Sequence, residues 1–126
     1  MHIHQLTLSY FRSHKHTQVQ AKNGPIVLFG GNGAGKTNII EAISLLSPGR
    51  GLRRANTAEL SKSPDNIGWK LNADVISDVN SNLIETSWTN NSSRNVKING
   101  KLARQNDLAK LLRVVWLLPS MDRLWL

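Results

Sequence analysis

The sequence predicts an α/β fold in which a glycine-rich loop joins a buried strand to an amphipathic helix. The loop spans residues 30–37 and fits the pattern G-x-x-x-x-G-K-[ST]. Before it, residues 26–29 are all apolar, as in a parallel strand that is covered on both faces. After it, Ile39, Ile43 and Leu46 recur at helical spacing. A strand, a glycine loop and a helix in this order are typical of the P-loop NTPase fold.

The chemistry of the loop suits a nucleoside triphosphate. Free N–H groups and the positive end of the helix dipole attract phosphate, and glycines let the backbone approach its oxygens closely. Lys36 would contact the phosphates, and Thr37 would place its hydroxyl on a Mg2+ ion that bridges the β- and γ-phosphates. The predicted cradle consists of Gly30, Gly31, Asn32, Gly33, Ala34, Gly35, Lys36 and Thr37. A glycine turn with an exposed lysine is the structural alternative.

Two short strands precede the loop. In the first, Leu6, Leu8 and Tyr10 alternate with polar residues, which predicts one buried and one exposed face. Residues 11–14 form a turn, and residues 16–20 return as a second strand.

The helix after the loop keeps its polar residues at Asn38, Glu41 and Ser44. The sequence Ser47-Pro48-Gly49 then ends it, because proline and glycine do not continue a helix. A basic loop and a short helix over residues 57–62 follow.

Residues 67–102 predict an antiparallel β-meander. Polar turns separate three alternating segments, over residues 68–76, 83–89 and 95–98. Asn99-Gly100 tolerates the positive φ angles of a type I′ turn, so a hairpin is expected there. Trp69 and Trp88 fall on apolar positions of these segments, which favours core packing over base stacking. The pattern ends with a short helix over residues 106–112 and an all-apolar run over residues 114–118.

The net charge of +8, from 16 Lys and Arg against 8 Asp and Glu, is unevenly distributed. Residues 1–62 hold eight basic and two acidic residues, so most of the excess lies beside the glycine loop. Such asymmetry favours a large anionic partner, and nucleic acid is the usual candidate. The basic loop supplies three candidate DNA contacts, Arg50, Arg53 and Arg54. A balancing acidic region elsewhere in a longer chain explains the charge equally well.

The composition favours a cytoplasmic protein that does not enter a membrane. The 126 residues include no cysteine, and no apolar stretch approaches the length of about 20 residues that spans a bilayer. The first residues lack the basic start and apolar core of a secretory signal.

Two other classes of P-loop protein match less well. Asp65-Asn66-Ile67-Gly68 fits the D-x-x-G of GTPases, but a loop precedes it and the sequence has no N-K-x-D motif. A small-molecule kinase would bring a lid with catalytic arginines and would not need the meander. The sequence also lacks an acid after four apolar residues, which ATPases use to hold Mg2+. No catalytic residue is therefore predicted.

Three separated segments resemble the head domains of SMC-like ATPases of DNA repair. They read Leu-Ser-Tyr-Phe-Arg-Ser-His at residues 8–14, Gly-Gly-Asn-Gly-Ala-Gly-Lys-Thr-Asn at residues 30–38, and Glu-Ala-Ile at residues 41–43. Residues 44–55 and 114–124 resemble more narrowly the RecF family of bacterial recombination mediators. The resemblance runs from one end of the sequence to the other.

The resemblance implies a two-lobed ABC-type head that binds ATP and Mg2+ and forms an ATP-dependent homodimer. The family holds DNA near junctions of single and double strands. It helps to load recombinase at gaps, together with recombination mediator proteins, in replication, repair and the SOS response. By resemblance, Arg12 lies near the nucleotide, Asn38 belongs to the nucleotide loop, and Asp122 approaches the metal.

The family pattern is incomplete in this sequence. The signature motif, the Walker B acid and the second lobe have no counterpart, and the apolar run over residues 114–118 needs neighbouring strands to cover it. We therefore expect residues 1–126 to form the N-terminal part of a single head domain, with its antiparallel region at about residues 67–102. We expect this chain to bind ATP without significant hydrolysis.

Three functions thus remain open. The first is an ATP-dependent DNA-binding protein of recombinational repair, in which the nucleotide acts as a clamp more than as a fuel. The second is a nucleotide-binding fragment without a DNA role, and the third is a different P-loop NTPase or kinase. The salt dependence of DNA binding distinguishes the first from the second.

Overall fold

The computed structural model describes residues 2–20, 36–49, 51, 54–62, 67–76, 80–90 and 93–111, in which the main element is a six-stranded antiparallel sheet. The strands are β1 (His2–Phe11), β2 (His14–Gln20), β3 (Gly68–Ile76), β4 (Ser81–Thr89), β5 (Asn95–Ile98) and β6 (Lys101–Ala103). Their order across the sheet is β2-β1-β3-β4-β5-β6. Helix α1 (Lys36–Ser44) lies between β2 and β3 in the chain, and two 3₁₀ helices span Thr57–Leu60 and Gln105–Lys110.

Strand β1 joins the two halves of the sheet, because it pairs with β2 on one side and with β3 on the other. Leu8 lies opposite Thr17 of β2 and Leu71 of β3. The meander predicted over residues 67–102 therefore continues through β3 into the N-terminal hairpin. Alternation along each strand does not indicate this connection, since it says which face is buried but not which strand lies alongside.

The core lies on one face of the sheet, where opposed residues of neighbouring strands point the same way. It holds Leu6, Leu8, Phe11, Ala42, Leu45, Leu46, Leu60, Trp69, Leu71, Ala73, Val75, Ile84, Trp88, Val96 and Leu108. Phe11 and Trp69 meet edge to face, with ring centroids 5.7 Å apart and planes at 82°. Trp69 and Trp88 thus pack in the core, as their apolar positions in the sequence predict.

Most predicted element bounds agree with the structure. β3 and β5 have the predicted bounds, whereas β2 and β4 each begin two residues earlier. The Asn99-Gly100 turn has the expected positive φ angles of 53° and 83°. The helices predicted near residues 57–62 and 106–112 are shorter 3₁₀ helices. The strand predicted at residues 26–29 and the apolar run at residues 114–118 lie outside the described residues.

The alternation of β1 breaks at Tyr10. Its φ of 52° shifts the chain so that Phe11, instead of Tyr10, is fully buried. The N–H of Arg12 donates to the carbonyl of Leu60, and the N–H of Lys62 donates to the carbonyl of Tyr10, both at 2.8 Å. These two bonds hold a backbone conformation that non-glycine residues rarely adopt.

Helix α1 packs the predicted apolar face against the core and buries two polar residues as well. Leu46 is fully buried, and Ile39 and Ile43 are partly buried against the core. Glu41 and Ser44, which the sequence pattern assigns to the polar face, are 0% and 1% exposed. Each has a partner, because Arg12 binds the Glu41 carboxylate and the Ser44 hydroxyl donates to the Glu41 carbonyl at 2.6 Å. Buried polar groups that are hydrogen-bonded in this way carry little penalty.

Candidate nucleotide-binding site

Helix α1 begins at Lys36, the lysine of the glycine-loop motif, so the motif leads into a helix as predicted. Thr37 is exposed in the first turn. The remaining loop residues lie outside the described part of the chain; they are Gly30, Gly31, Asn32, Gly33, Ala34 and Gly35.

Arg12, in the β1–β2 turn, forms a bidentate ion pair with Glu41 in the second turn of α1. Nε of Arg12 donates to Oε1 of Glu41 at 2.9 Å, and Nη2 donates to Oε2 at 3.1 Å. The Glu41 side chain is 0% exposed and that of Arg12 is 22% exposed. A planar guanidinium matches a carboxylate in this geometry, so the pair is directional as well as charged. Arg12 thereby compensates a buried negative charge close to the end of the helix that would receive phosphate.

A second bond links the same turn to the first part of the helix. Nδ2 of Asn38 donates to Oγ of Ser13 at 2.9 Å. Asn38 and Glu41 lie one turn apart on α1, and their partners are adjacent in sequence. The β1–β2 turn is therefore tied to α1 at two successive turns, which fixes Arg12 beside the N-terminal half of this helix.

These residues fit a Mg2+-bound nucleoside triphosphate. A helix N-terminus favours anions. Thr37 is exposed, and its hydroxyl is a hard oxygen ligand of the kind that Mg2+ prefers. The guanidinium of Arg12 is able to donate hydrogen bonds to phosphate. Asp122, the other predicted metal ligand, lies outside the described residues.

Of the predicted DNA contacts, the structure describes Arg54, which is exposed; Arg50 and Arg53 lie outside the described residues. The N–H of Arg54 donates to the carbonyl of Gly51 at 3.3 Å, and Gly51 is buried against Leu45 and Ser44 at the C-terminal end of α1. Lys36 at the start of α1 and this end are separated by the nine residues of the helix, about 13 Å at 1.5 Å per residue.

Sequence reasoning does not single out Glu41 as a site residue. Its position three residues after Asn38 is compatible with a solvated helix face, and nothing local indicates that Arg12 reaches it across 29 positions of the chain. The available signal is the combination of an acid in the helix with an arginine in a turn that the family resemblance places nearby.

Together, a helix that begins at Lys36 of the glycine-loop motif and an antiparallel sheet beside it match the fold of P-loop ATPase heads of the ABC and SMC type. The sequence model of the RecF/RecN/SMC N terminal domain matches residues 2–121. The chain belongs to this family. Among the residues that the structure describes, no helix is long and apolar enough to cross a membrane.

The relatives agree with this family in sequence and in fold. The DNA replication and repair protein RecF of Mesorhizobium japonicum is 43% identical over 128 residues, which are 98% of this chain and 34% of the relative. The chain thus spans about a third of the length of the curated relatives that it matches.

Solved structures show the same fold. The recombination mediator protein RecF-ATP superposes with a TM-score of 0.74 at 25% identity, over 85% of this chain and 30% of that chain. A structure from work on ATP-driven dimerization and DNA-stimulated activation of SMC ATPases has a TM-score of 0.73 at 20% identity, over 88% and 77% of the two chains. At 20% identity, the similarity to the SMC structure supports the fold alone.

Proposed function

We propose that the chain is the ATP-binding N-terminal part of a DNA replication and repair protein of the RecF kind. The observation that carries this proposal is the double attachment of the Arg12–Ser13 turn to α1. The guanidinium of Arg12, a group that is able to bind phosphate, lies beside the helix that follows the glycine-loop motif. The RecF-ATP structure supports the identity of the nucleotide.

In this proposal, the residues at the N-terminal half of α1 bind and orient the nucleotide. The loop amides of residues 30–35 and Lys36 hold the phosphates, and Thr37 ligates Mg2+, with Asp122 as a second contact to the metal. A Mg2+ ion held by these residues would supply positive charge to neutralise the phosphates. Arg12 uses Nε and Nη2 on Glu41, so Nη1 is the nitrogen that would face the nucleotide.

The basic loop at the C-terminal end of α1 would bind the DNA backbone. Arg50, Arg53 and Arg54 lie in the half of the sequence with the greater excess of positive charge, and phosphate contacts of this kind fix a protein on DNA without reading its sequence. The DNA is proposed to be a junction of single and double strands at a gap. ATP-dependent pairing of two heads would then act as the clamp.

The proposed setting is recombinational repair in the cytoplasm, including the SOS response, with recombination mediator proteins as partners. The RecF-ATP relative is described as a recombination mediator protein in the RecFOR pathway, which supports this setting. A nucleotide-binding protein without a DNA role is the second candidate, because a charge excess reports on partners only loosely.

The nucleotide assignment is tested by titrating fluorescent ATP onto the wild-type chain and onto Lys36→Ala. Loss of an ammonium–phosphate hydrogen bond of about 1.5 to 3 kcal/mol should weaken binding roughly ten- to a hundred-fold. Lys15→Ala, which removes an exposed lysine of β2, is the matched control and should bind like wild type. Equal affinities of the wild type and Lys36→Ala would refute the assignment.

The DNA role is tested by measuring DNA affinity at several salt concentrations. Replacing Arg50, Arg53 and Arg54 by alanine should flatten the dependence of log K on log salt by up to about three units. A control with the same loss of charge replaces the exposed Lys15, Lys97 and Lys101. A slope that changes equally in both triple variants would favour the nucleotide-binding protein without a specific DNA site.

A further inference from the structure

Arg94 lies just before β5 and reaches across the core to the C-terminal end of α1. Nη2 donates to the carbonyl of Leu45 at 2.6 Å, and Nη1 donates to the carbonyl of Gly49 at 2.6 Å and to Oε1 of Gln105 at 3.3 Å. Nε donates to Oγ1 of Thr86 at 2.7 Å. All three nitrogens of the guanidinium are therefore engaged with protein oxygens.

The partners of Arg94 are neutral oxygens, and two of them are carbonyls that follow the last turn of α1. The end of a helix leaves its last carbonyls without partners and carries a partial negative charge, so a cation is stabilising there. Burial lowers the pKa of Arg94 to about 10, which leaves it protonated at neutral pH. Arg94 thus acts as a charged cap on the helix.

The same contacts hold the beginning of the basic loop. The N–H of Gly49 donates to Oε1 of Gln105 at 3.0 Å, while its carbonyl accepts from Arg94. Gly51 has a φ of 79°, and a Cβ at this position would lie 2.9 Å from Cδ2 of Leu45. The backbone at Gly51 therefore lies directly against the end of α1, and Arg54 has a φ of 52°.

We propose that Arg94 is a positioning residue for DNA binding, which holds Gly49 beside the end of α1 and thereby helps to position Arg54, the described arginine of the basic loop. This inference rests on the proposed DNA role of that loop. Each of the three guanidinium nitrogens of Arg94 donates to an oxygen of the protein, so its proposed effect on DNA is indirect. It acts through Arg54, and neither the sequence pattern nor the family resemblance points to it.

A double-mutant cycle tests the inference with the whole chain. DNA and ATP affinities are measured for wild type, Arg94→Met, Arg54→Ala and the double variant. Arg94→Met should lower DNA affinity about three- to thirty-fold, as expected for coupling through a contact network. When Arg54→Ala is added to Arg94→Met, it should lower DNA affinity less than it does in the wild-type chain, because Arg54 is no longer held in position.

A purely structural role would lower both affinities together. We expect ATP affinity of Arg94→Met to stay within about twofold of wild type, since effects at distant sites with separate contacts are independent. Lys101→Met removes one exposed charge elsewhere and should leave the cycle unchanged. Fold-changes of Arg94→Met and Arg54→Ala that multiply within about twofold would overturn the inference while leaving the DNA role intact. A wild-type chain that binds no DNA would overturn both.

Two further measurements keep the inference testable if Arg94→Met folds poorly. Gln105→Ala removes the acceptor of the Gly49 N–H without a change of charge, and it should weaken DNA binding in the same direction by a smaller factor. Hydrogen exchange of the Gly49 amide should become faster in Gln105→Ala and in Arg94→Met. The Leu83 amide, which donates to Oδ1 of Asn99 at 2.9 Å, is the internal reference. Unchanged exchange at Gly49 in both variants would refute the positioning role.

Discussion

Two arginines hold helix α1 at different places, and they bind different chemical groups. Arg12 binds a buried carboxylate in the second turn of the helix, whereas Arg94 binds neutral carbonyl, hydroxyl and amide oxygens at and beyond its C-terminal end. The first contact compensates a charge that the helix itself carries. The second satisfies backbone groups that every helix leaves open. The comparison shows that a similar guanidinium can be essential for charge balance at one place and for geometry at another.

The largest expected difference is in stability. Arg12→Met removes the guanidinium that binds the buried carboxylate of Glu41, and breaking a buried ion pair in this way costs about 3 kcal/mol or more. Arg94→Met should cost less, about 1 to 2 kcal/mol, because removing a buried charge also recovers its desolvation. Urea unfolding of both variants measures the two free energies.

The same experiment has an internal check. Adding Glu41→Leu to Arg12→Met removes the buried carboxylate and should recover most of the lost stability, since an apolar pair of similar volume replaces a buried ion pair well. Adding Glu41→Leu to Arg94→Met should recover nothing. A loss for Arg94→Met as large as that for Arg12→Met would remove the distinction between the two arginines.

A second, smaller effect concerns the backbone at the C-terminal end. Gly49 and Gly51 both have positive φ, at 102° and 79°, so alanine strains either position by about 1 to 2 kcal/mol. Only at Gly51 would the new Cβ also meet neighbours, with Cδ2 of Leu45 at 2.9 Å and Oγ of Ser44 at 3.0 Å. Gly51→Ala should therefore be less stable than Gly49→Ala by about 1 kcal/mol or more. Equal unfolding free energies would mean that the loop does not press against the helix.

The smallest effect is a dependence on acid pH at the 3₁₀ helix that carries Gln105. Oδ2 of Asp107 accepts from the N–H of Arg104 at 3.0 Å, and this backbone bond lowers the pKa of Asp107 below its usual 3.8. A depressed pKa adds stability above the unfolded value and loses it as the pH falls through the folded value. Asp107→Asn should slightly lower the thermal midpoint at pH 7 and have no effect at pH 2. A difference that persists at pH 2 would contradict this assignment.

The sheet follows from sequence more directly than the site does. In β3, Trp69, Leu71, Ala73 and Val75 alternate with polar residues, and the buried face of the strand is the one that this alternation predicts. The pairing of β1 with β3 depends on contacts between distant residues, so no local pattern indicates it. The alternation of apolar residues does not predict local backbone strain either. Tyr10 has the spacing of a core residue in β1, but Phe11 occupies the core.

Only part of the candidate nucleotide-binding site is predicted by the sequence. The glycine-loop motif indicates the helix start at Lys36, because the motif itself requires a helix N-terminus. The positions of Glu41 and Arg94, unlike that of Lys36, do not follow from the sequence. A charged residue is expected on the surface unless its partner is known. Each finds its partner across the fold, with Arg12 29 positions away and Leu45 49 positions away, respectively. Sequence reasoning therefore predicts the motif but not the ion pair and the cap that hold its helix.

The place of β1 between β2 and β3 has a consequence for synthesis on the ribosome. The hairpin of β1 and β2 can form early, but the pairing of His2 with Ile76 must wait until the whole intervening segment has emerged. An isolated two-stranded hairpin is marginally stable in water, so the nascent chain holds little lasting sheet before that point. The proposed nucleotide helix then lies inside a closed loop of chain, and its folding and the completion of the sheet become one cooperative event.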